Sequence, residues 1–466
     1  MEQALNNTTI VAIATPHGRG GIAVIRLSGP DAINIADKVW RGKGLNECKS
    51  HTIHLGDIIS PDGEILDNAV ASIFRSPTSF TGEDTVEFSV HASPWIQREV
   101  LNALIASGAT PAGPGEFSQR AFTNGKIDLA QAEGIGELIA AESGAAHRLA
   151  MRQTKGEYSR QINTLRDKMI YFASMLELEL DFSEEDVEFA NRKQLTDLCL
   201  EIEGYVSHLA DSYKAGKVFK EGVPTVIAGI PNVGKSTLLN NLLGDDRAIV
   251  SSIPGTTRDI IEDTVEINGI LFRLFDTAGL RDSEDEIERA GIELAYKKLS
   301  TSALILCMID PLYPLQEQLV IYNQLKEHRE SDVAIITIIS KADTVDNATL
   351  LKLREEIKKQ TGEDVTDISV REGKGIEELK HAMSAAISAD FDPTTEIIIT
   401  NARHYAELEA TRESIRRAKE GIESGLTADF IAQDIREAIH HLTTITGAIT
   451  TDTLLATIFS TFCIGK

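Results

Sequence analysis

The chain has 466 residues, of which 42% are hydrophobic and 25% are charged, and its formal net charge at pH 7 is −25. This length allows roughly three domains of about 150 residues, and the negative charge opposes non-specific attraction to nucleic-acid phosphates. No stretch reaches the ~18 consecutive apolar residues of a membrane span, and the N-terminus lacks a signal-peptide pattern. We therefore expect a cytoplasmic protein with no membrane partner.

The first third of the chain mixes short β-like runs with turns. Such runs occupy residues 22–29, 69–74 and 84–91, and Gly, Pro and Asn separate them. This pattern is typical of an α+β domain. At Asp128 it changes to helix, because Asp128 and Gln131 have the spacing of a capping box ahead of an apolar helical segment.

Helical periodicity continues on both sides of a central α/β region. Before that region, one apolar stripe at three- and four-residue spacing contains Leu195, Leu198, Cys199, Ile202, Val206 and Leu209. After it, one stripe contains Tyr405, Leu408, Ile415, Ala418 and Ile422, and another contains Phe430, Ile431, Ile435, Ile439 and Leu442.

Between these helical parts, apolar runs alternate with helical segments, as in a doubly wound α/β domain. The sequence thus predicts a multidomain protein. An α+β N-terminal domain covers residues 1–125, an all-α domain covers residues 126–217 and 386–466, and an α/β domain inserted into it covers residues 218–385.

Residues 229–236, GIPNVGKS, fit the P-loop pattern G-x-x-x-x-G-K-[ST] between an apolar run and a helical segment. In such a loop, backbone N–H groups bind phosphate oxygens, Lys235 contacts the β- and γ-phosphates, and the Ser236 hydroxyl can hold Mg²⁺. The motif predicts a nucleoside triphosphate as the ligand.

Three further segments favour GTP over ATP. Asp276 opens the DTAG segment after a predicted strand and can reach Mg²⁺ through water, and Thr256 and Thr257 lie in PGTTRD, where a switch loop is expected. Asp343, in SKAD after another strand, can accept from the two N–H groups on one edge of guanine. With the later ISV segment at 368–370, these motifs resemble those of a translation-factor-type GTPase.

The GTP-binding residues that these motifs predict are Asn232, Val233, Gly234, Lys235, Ser236, Thr237, Pro254, Gly255, Thr256, Thr257, Asp276, Thr277, Ala278, Gly279, Ser340, Lys341, Asp343, Ser369, Val370 and Arg371. Leu280 stands where Ras-like enzymes carry a Gln that orients the attacking water. Hydrolysis therefore needs another water-positioning group or another cation. The acidic residues 281–291 supply candidates, or form a solvated acidic loop.

Four longer pieces accompany the P-loop and PGTTRD along the chain: TIVAIATPHGRGGIAVIRLSG, SFTGEDTVEF, PGEFSQRAFTNGKIDLAQAE, and DTAGLR with EIERAGIE. The last residues are FCIGK. In these pieces, their order and their spacing, the whole chain resembles the MnmE (TrmE) family of tRNA-modification GTPases. The resemblance implies a tetrahydrofolate-binding N-terminal domain that forms a homodimer, a helical domain, and an inserted P-loop GTPase domain.

The resemblance also implies an activity. With a flavin-dependent partner, MnmG, such proteins use a folate one-carbon unit to add an aminomethyl or carboxymethylaminomethyl group to C5 of the wobble uridine of tRNA, and GTP hydrolysis is required. Two alternatives stay open: an RNA-binding ribosome-assembly GTPase switch, and a folate-binding regulatory protein whose GTPase is a timer.

Site residues follow from the resemblance position by position. The folate contacts it implies are Arg26, Glu87, Lys126 and Lys466. The resemblance adds Ser251, Ser252 and Ile253 to the GTP-binding residues. The K⁺ ligands it implies are Asn232, Ser251, Ile253 and Thr256, and the Mg²⁺ ligands are Ser236 and Thr257. Glu288 matches the acidic residue that helps position water. Residues 183–188, SEEDVE, also match, but we interpret them as a solvated acidic face.

The four cysteines are more than a hundred residues apart, which fits neither a disulfide framework nor a metal site. Periodicity predicts that Cys199 and Cys307 are core residues. Cys463 has the spacing of a prenylation signal, but Gly465 and Lys466 do not suit that signal. The patterns alone fit a core cysteine, whereas the family resemblance implies that Cys463 takes part in the modification chemistry.

Overall fold

The computed structural model describes residues 8–181, 192–245, 263–276, 302–329, 333–388, 391–393 and 395–465. The chain divides into two compact units. Unit 1 comprises Met1–Ile139, Met151–Leu200 and Ala410–Lys466, and unit 2 comprises Ala140–Ala150 and Glu201–Glu409. Within the described ranges, no helix combines the length and apolar character needed to span a membrane.

Unit 1 contains a seven-stranded sheet in the order β3-β4-β5-β6-β2-β1-β7. Its strands are β1 (Ile10–Ile13), β2 (Ala23–Ser28), β3 (Trp40–Arg41), β4 (Thr52–Ile59), β5 (Ile65–Phe74), β6 (Thr85–Val90) and β7 (Thr110–Pro111). The three strands that the sequence predicts are confirmed as β2, β5 and β6. Strand β1 is antiparallel to β2 and parallel to β7.

Two helices, α1 (Ala32–Lys38) and α2 (Pro94–Ala106), pack on one face of this sheet and bury its largest apolar core. A short 3₁₀ turn at Leu45–Glu47 follows α1. On the other face, Ile10 and Ala12 of β1 pack against Phe117 of α3 (Glu116–Thr123). Because paired residues on neighbouring strands share a face, Arg26, paired with Ala12, lies on the α3 side.

The helical part of unit 1 begins with α4 (Leu129–Ala140), and its capping box is confirmed. Asp128 N–H donates to Gln131 Oε1 at 3.0 Å, and Gln131 N–H donates to Asp128 Oδ1 at 2.8 Å. The helices that follow are α5 (Gly144–Thr154), α6 (Glu157–Asp181), α7 (Arg192–Asp211), α13 (Ala402–Glu423), α14 (Ala428–Thr446) and α15 (Asp452–Ser460). Of these, α5, α7 and α13 have residues in both units.

Most residues of the predicted helical stripes are buried, Tyr405 and Ile439 are half-buried, and one assignment needs correction. Cys199 and its neighbours on α7 are buried, with Leu198 half-buried, and Leu408, Ile415, Ala418 and Ile422 are buried on α13. On α14 the prediction for Phe430 is wrong, since it is 60% exposed. The buried stripe of α14 is Ile431, Ile435, Ala438 and Leu442. Phe430 precedes this stripe by one residue, which rotates its side chain about 100° away from the buried face.

Unit 2 contains a six-stranded sheet in the order β13-β12-β11-β8-β10-β9. The strands are β8 (Val223–Gly229), β9 (Asp263–Ile267), β10 (Ile270–Asp276), β11 (Leu304–Ile309), β12 (Ala334–Ile339) and β13 (Val365–Asp367). All pairings are parallel except β9 with β10. The apolar runs that predict strands in this region are TVIAGI, FRLF, SALILCMID and VAIITIIS. They are confirmed as β8, β10, β11 and β12.

Helices cover both faces of this sheet, as the doubly wound pattern predicts. They are α8 (Tyr213–Glu221), α9 (Lys235–Asp245), α10 (Leu315–His328), α11 (Asn347–Thr361) and α12 (Ile376–Ile387). Every residue of β11 is buried, and its first five side chains alternate between two cores, with Leu306 in one and Cys307 in the other. Strand β8 has β10 on one side and β11 on the other, so the strand order changes direction at β8. In sheets of this kind a crevice forms at the carboxyl end of the strand where the order changes.

Candidate functional site

The loop after β8 has the backbone geometry of a phosphate-binding loop. Gly229 and Gly234 have φ angles of 151° and 110°, and Asn232 has a φ of 61°. A Cβ on Gly229 would lie 2.6 Å from the Met308 carbonyl oxygen, so no side chain fits there. These conformations turn the loop into the N-terminus of α9, where backbone N–H groups and the helix dipole favour an anion.

Lys235 is the first residue of α9, and only 7% of it is exposed. Its ammonium group donates to the carbonyl oxygens of Gly229 and Ile230, both at 3.0 Å. The cation is therefore held over the loop, where it can reach phosphate oxygens. Ser236 follows on the same helix turn and offers a hydroxyl, which is a ligand type that Mg²⁺ accepts.

A cavity of about 260 Å³ opens beside this loop. The structure brings together eight of the predicted GTP-binding residues around it: Val233, Gly234, Thr237, Ser340, Lys341, Asp343, Val370 and Arg371. The P-loop and the segments after β12 and β13 thus form one cavity. Its lining also includes three residues that the prediction omitted, Met308, Thr344 and Ile368.

Asp343 is oriented by a residue that the sequence places in the next motif. Ser369 Oγ donates to Asp343 Oδ1 at 2.7 Å. This hydrogen bond is the main cause that lowers the pKa of the Asp343 carboxyl. A carboxylate accepts hydrogen bonds and donates none, so Asp343 can recognise an edge with two N–H donors, as in guanine, and not the mixed edge of adenine.

In unit 1, Arg26 and Glu87 form an ion pair between adjacent strands, with Arg26 Nε 2.7 Å from Glu87 Oε1. The Arg26 guanidinium lies 5.8 Å from the centre of the Phe80 ring and 5.6 Å from that of Phe117. A cation, a carboxylate and two aromatic rings therefore meet on the α3 side of the sheet.

Lys126 reaches the same loop that carries Phe80, since its ammonium donates to the Pro77 carbonyl at 3.0 Å. It also lines a cavity of about 400 Å³ with Asn163 and Arg166. Among the described residues, neither Arg26 nor Glu87 lines that cavity. The loop at 77–82 therefore connects these predicted folate contacts, although Arg26 and Glu87 lie outside the cavity that Lys126 lines.

The C-terminal tail lies against the N-terminal end of α3. Gly115 N–H donates to the Cys463 carbonyl at 3.3 Å, and Ile464 pairs with Pro114. A Cβ on Gly465 would meet the Ile13 carbonyl oxygen at 2.5 Å. Ile13 follows Ala12, the strand partner of Arg26. The Cys463 side chain is exposed, which contradicts a core position for this cysteine.

Two family models and close relatives cover the chain. The model "GTP-binding protein TrmE N-terminus" matches residues 9–126, and the model "MnmE helical domain" matches residues 129–463. A "tRNA modification GTPase MnmE" of Parabacteroides distasonis is 44% identical over 464 residues, covering 98% of this chain and 100% of the relative. Its counterpart in Cytophaga hutchinsonii is 44% identical, covering 98% of both chains.

The chain belongs to the MnmE family of tRNA modification GTPases. Among solved structures, the FeoB G domain of Methanococcus jannaschii aligns at 26% identity over 35% of this chain and 96% of that chain, with a TM-score of 0.26. A TM-score of this size does not establish a common fold.

Several residues that the motifs or the family resemblance predicted lie outside the described residues. They are Ser251, Ser252, Ile253, Pro254, Gly255, Thr256, Thr257, Thr277, Ala278, Gly279, Glu288 and Lys466, together with the SEEDVE segment. Asp276 is the last residue of β10. Three of the four predicted K⁺ ligands belong to this set, and of the four only Asn232 is described.

In this MnmE-family chain, Asp310 was not identified from the sequence as a site residue. This residue follows β11 directly and is 1% exposed, and its carboxylate contacts Lys341 of the base-binding segment. A signal was available, because an acidic residue immediately after an apolar run marks the carboxyl end of a parallel strand, where ligand sites form. Asp276 and Asp343 were identified partly on that ground.

Proposed function

We propose that this chain hydrolyses GTP as a required step of tRNA modification. The observation that carries the proposal is the single cavity lined by both the P-loop and Asp343, whose carboxylate is held by Ser369. A phosphate-binding loop and an acceptor for guanine can therefore contact the same bound nucleotide. The names of the relatives, tRNA modification GTPases, support the biological role.

We further propose the finer activity that the family resemblance implies. The chain acts as a homodimer in the cytoplasm with a flavin-dependent partner, MnmG, and together they add an aminomethyl or carboxymethylaminomethyl group to C5 of the wobble uridine. Its domains are the folate-binding domain at 1–125, the helical domain at 126–217 and 386–466, and the GTPase domain at 218–385. The match of a TrmE model to residues 9–126 favours this function over a ribosome-assembly switch.

The chemistry of the residues around Arg26 fits a tetrahydrofolate derivative, which would supply the one-carbon unit when bound. Arg26 and Lys126 offer cations for an acidic tail, and Glu87 offers an acceptor for the N–H groups of a pterin edge. The rings of Phe80 and Phe117 both lie beside the Arg26 guanidinium, with their centres 5.8 Å and 5.6 Å away. The tail brings the exposed Cys463 to the same end of the sheet, and Lys466 follows it in the chain.

At the nucleotide, Ser236 and Thr257 would hold Mg²⁺, and Asn232, Ser251, Ile253 and Thr256 would hold K⁺. A cation beside the phosphates supplies positive charge where Ras-like enzymes use other groups. The amide oxygen of Asn232 is a donor of the type that hard cations accept. Glu288 would help position the attacking water, a role that Leu280 cannot fill.

An exchange of base specificity tests the proposed function. Asp343→Asn replaces one carboxylate oxygen by an N–H donor, so we expect weaker GTP binding and tighter binding of xanthosine triphosphate, whose C2 carbonyl accepts. Loss of a charge-assisted pair of hydrogen bonds corresponds to roughly ten- to a hundredfold in Kd. The measurement is titration and hydrolysis with both nucleotides, repeated in K⁺ and Na⁺ at equal ionic strength.

The matched control is Asp364→Asn, which makes the same chemical change at an exposed carboxylate paired with Lys358. It should leave GTP binding within twofold of the wild type. Unchanged GTP affinity in Asp343→Asn would refute the role of Asp343 in guanine recognition. Equal hydrolysis rates of the wild type in the two salts would refute the K⁺ site.

A further inference from the structure

Asp310 has a buried carboxylate and is not among the predicted site residues. Its Oδ1 accepts from Leu312 N–H at 2.9 Å, and its Oδ2 accepts from Lys341 Nζ at 2.7 Å. The amide of Gln318 also brackets its backbone, accepting from Asp310 N–H at 2.8 Å and donating to the Asp310 carbonyl at 2.9 Å. The carboxylate is thus fixed in position at the carboxyl end of β11.

Lys341 links this carboxylate to the P-loop. The same ammonium group that contacts Asp310 donates to the Asn232 carbonyl oxygen at 2.7 Å, across 109 residues of sequence. Lys341 also lines the base cavity. One side chain therefore connects β11, the base-binding segment and the phosphate-binding loop.

Both residues joined by this hydrogen bond have left-handed backbone conformations, with φ angles of 61° for Asn232 and 49° for Lys341. Such conformations are uncommon for residues other than glycine and persist where the surroundings impose them, often at ligand-binding sites. The neighbouring Ser340 is bonded to β11, since its N–H and its hydroxyl both donate to the Ile309 carbonyl oxygen, at 2.8 Å and 3.2 Å.

We infer that Asp310 is a positioning residue for the nucleotide. Its carboxylate holds the Lys341 ammonium against the Asn232 carbonyl, and this fixes the P-loop relative to the cavity that receives the base. A buried carboxylate is strongly oriented by a cation because it has little contact with water. This inference rests on the proposed guanine-nucleotide site. It adds to that site a residue that acts through Lys341 and has no proposed contact with the nucleotide.

The test is a double-mutant cycle on nucleotide affinity. Asp310→Asn keeps the shape of the side chain and an acceptor for Leu312 N–H, but removes its charge. We expect about a tenfold increase in Kd for a fluorescent GDP analogue, which is about 1.4 kcal/mol, and an increase in KM for GTP with kcat within about threefold. Since Asp310 acts through Lys341, the double variant with Lys341→Met should bind no more weakly than Lys341→Met alone.

The outcomes separate this inference from the proposed function. Asp364→Asn is again the matched control and should bind as the wild type does. Wild-type Kd in Asp310→Asn, or two single-variant effects that multiply in the double variant, would overturn the role of Asp310. If Asp310→Asn does not fold, Lys341→Gln at a half-exposed position carries the test, and unchanged affinity there overturns the inference. A wild-type chain that binds no guanine nucleotide would instead refute the proposed function.

Discussion

The four cysteines of this chain have very different surroundings. Cys48, Cys199 and Cys307 are buried, and Cys463 is exposed in the C-terminal tail. Burial in the core, with a smaller effect of Glu363, raises the pKa of the Cys307 thiol to about 12. A thiol in this environment stays protonated at neutral pH and is a poor nucleophile. Reactivity toward external reagents is therefore expected at Cys463 alone.

Counting reactive thiols tests this account. At pH 8 we expect an aromatic disulfide reagent to modify one thiol rapidly in the native wild type and none in native Cys463→Ser. In denaturant the wild type should show all four thiols. Because the folded pKa of Cys307 exceeds the ~8.5 of an unfolded thiol, its contribution to stability is complete below that pH and is lost as the pH rises toward 12. Rapid reaction of a second thiol in native Cys463→Ser would contradict the burial described here.

At the scale of the helix, two glycines in unit 2 lie in opposite environments. Gly204, within α7, is exposed, and an added Cβ would have no neighbour within 4 Å. Gly216, within α8, is buried against the backbone carbonyl of Ile399, which an added Cβ would overlap. That segment is held on the helix by Ile399 N–H, which donates to Ser212 Oγ at 3.0 Å.

We therefore expect alanine to have opposite effects at these two positions. Gly204→Ala should stabilise unit 2 by roughly 0.5–1 kcal/mol, because alanine loses less backbone entropy in a helix. Gly216→Ala should destabilise it by about 2 kcal/mol or more, because the carbonyl has to move. Calorimetric melting of both variants measures this. A Gly216→Ala transition at or above the wild-type temperature would contradict the close approach of α8 to Ile399.

Elements were predictable where one local pattern determined them. The capping box at Asp128 and the strands with continuous apolar runs needed only neighbouring residues, and both are confirmed. Strand β4 was not predicted, since its apolar side chains Ile53 and Leu55 are about 70% exposed and do not mark a buried face. Phe430 was assigned to the wrong face because hydrophobicity alone does not determine which helix face meets the core.

At the scale of the whole molecule, site residues in contiguous motifs were likewise predictable, whereas those that depend on tertiary contacts were not. The P-loop and SKAD are contiguous motifs, so residues as far apart as Val233 and Asp343 could be assigned to one ligand before their shared cavity was known. Asp310 directly follows an apolar run, which marks it as a residue at the end of a strand. Its contact with Lys341 could not be predicted, because that contact depends on the register that brings β11 beside β12 and on the conformation of Lys341. Contacts of that kind arise from tertiary structure and leave no motif.

The central claim is that guanine-nucleotide hydrolysis by this chain is required for tRNA modification. The most direct test is mass-spectrometric nucleoside analysis of tRNA from cells whose only copy of the gene carries Asp343→Asn, with Asp364→Asn as the control. We predict that the modified wobble uridine is lost in the first strain and retained in the second. Wild-type levels of the modified nucleoside in the Asp343→Asn strain, with the variant protein present and defective in GTP binding, would contradict the claim.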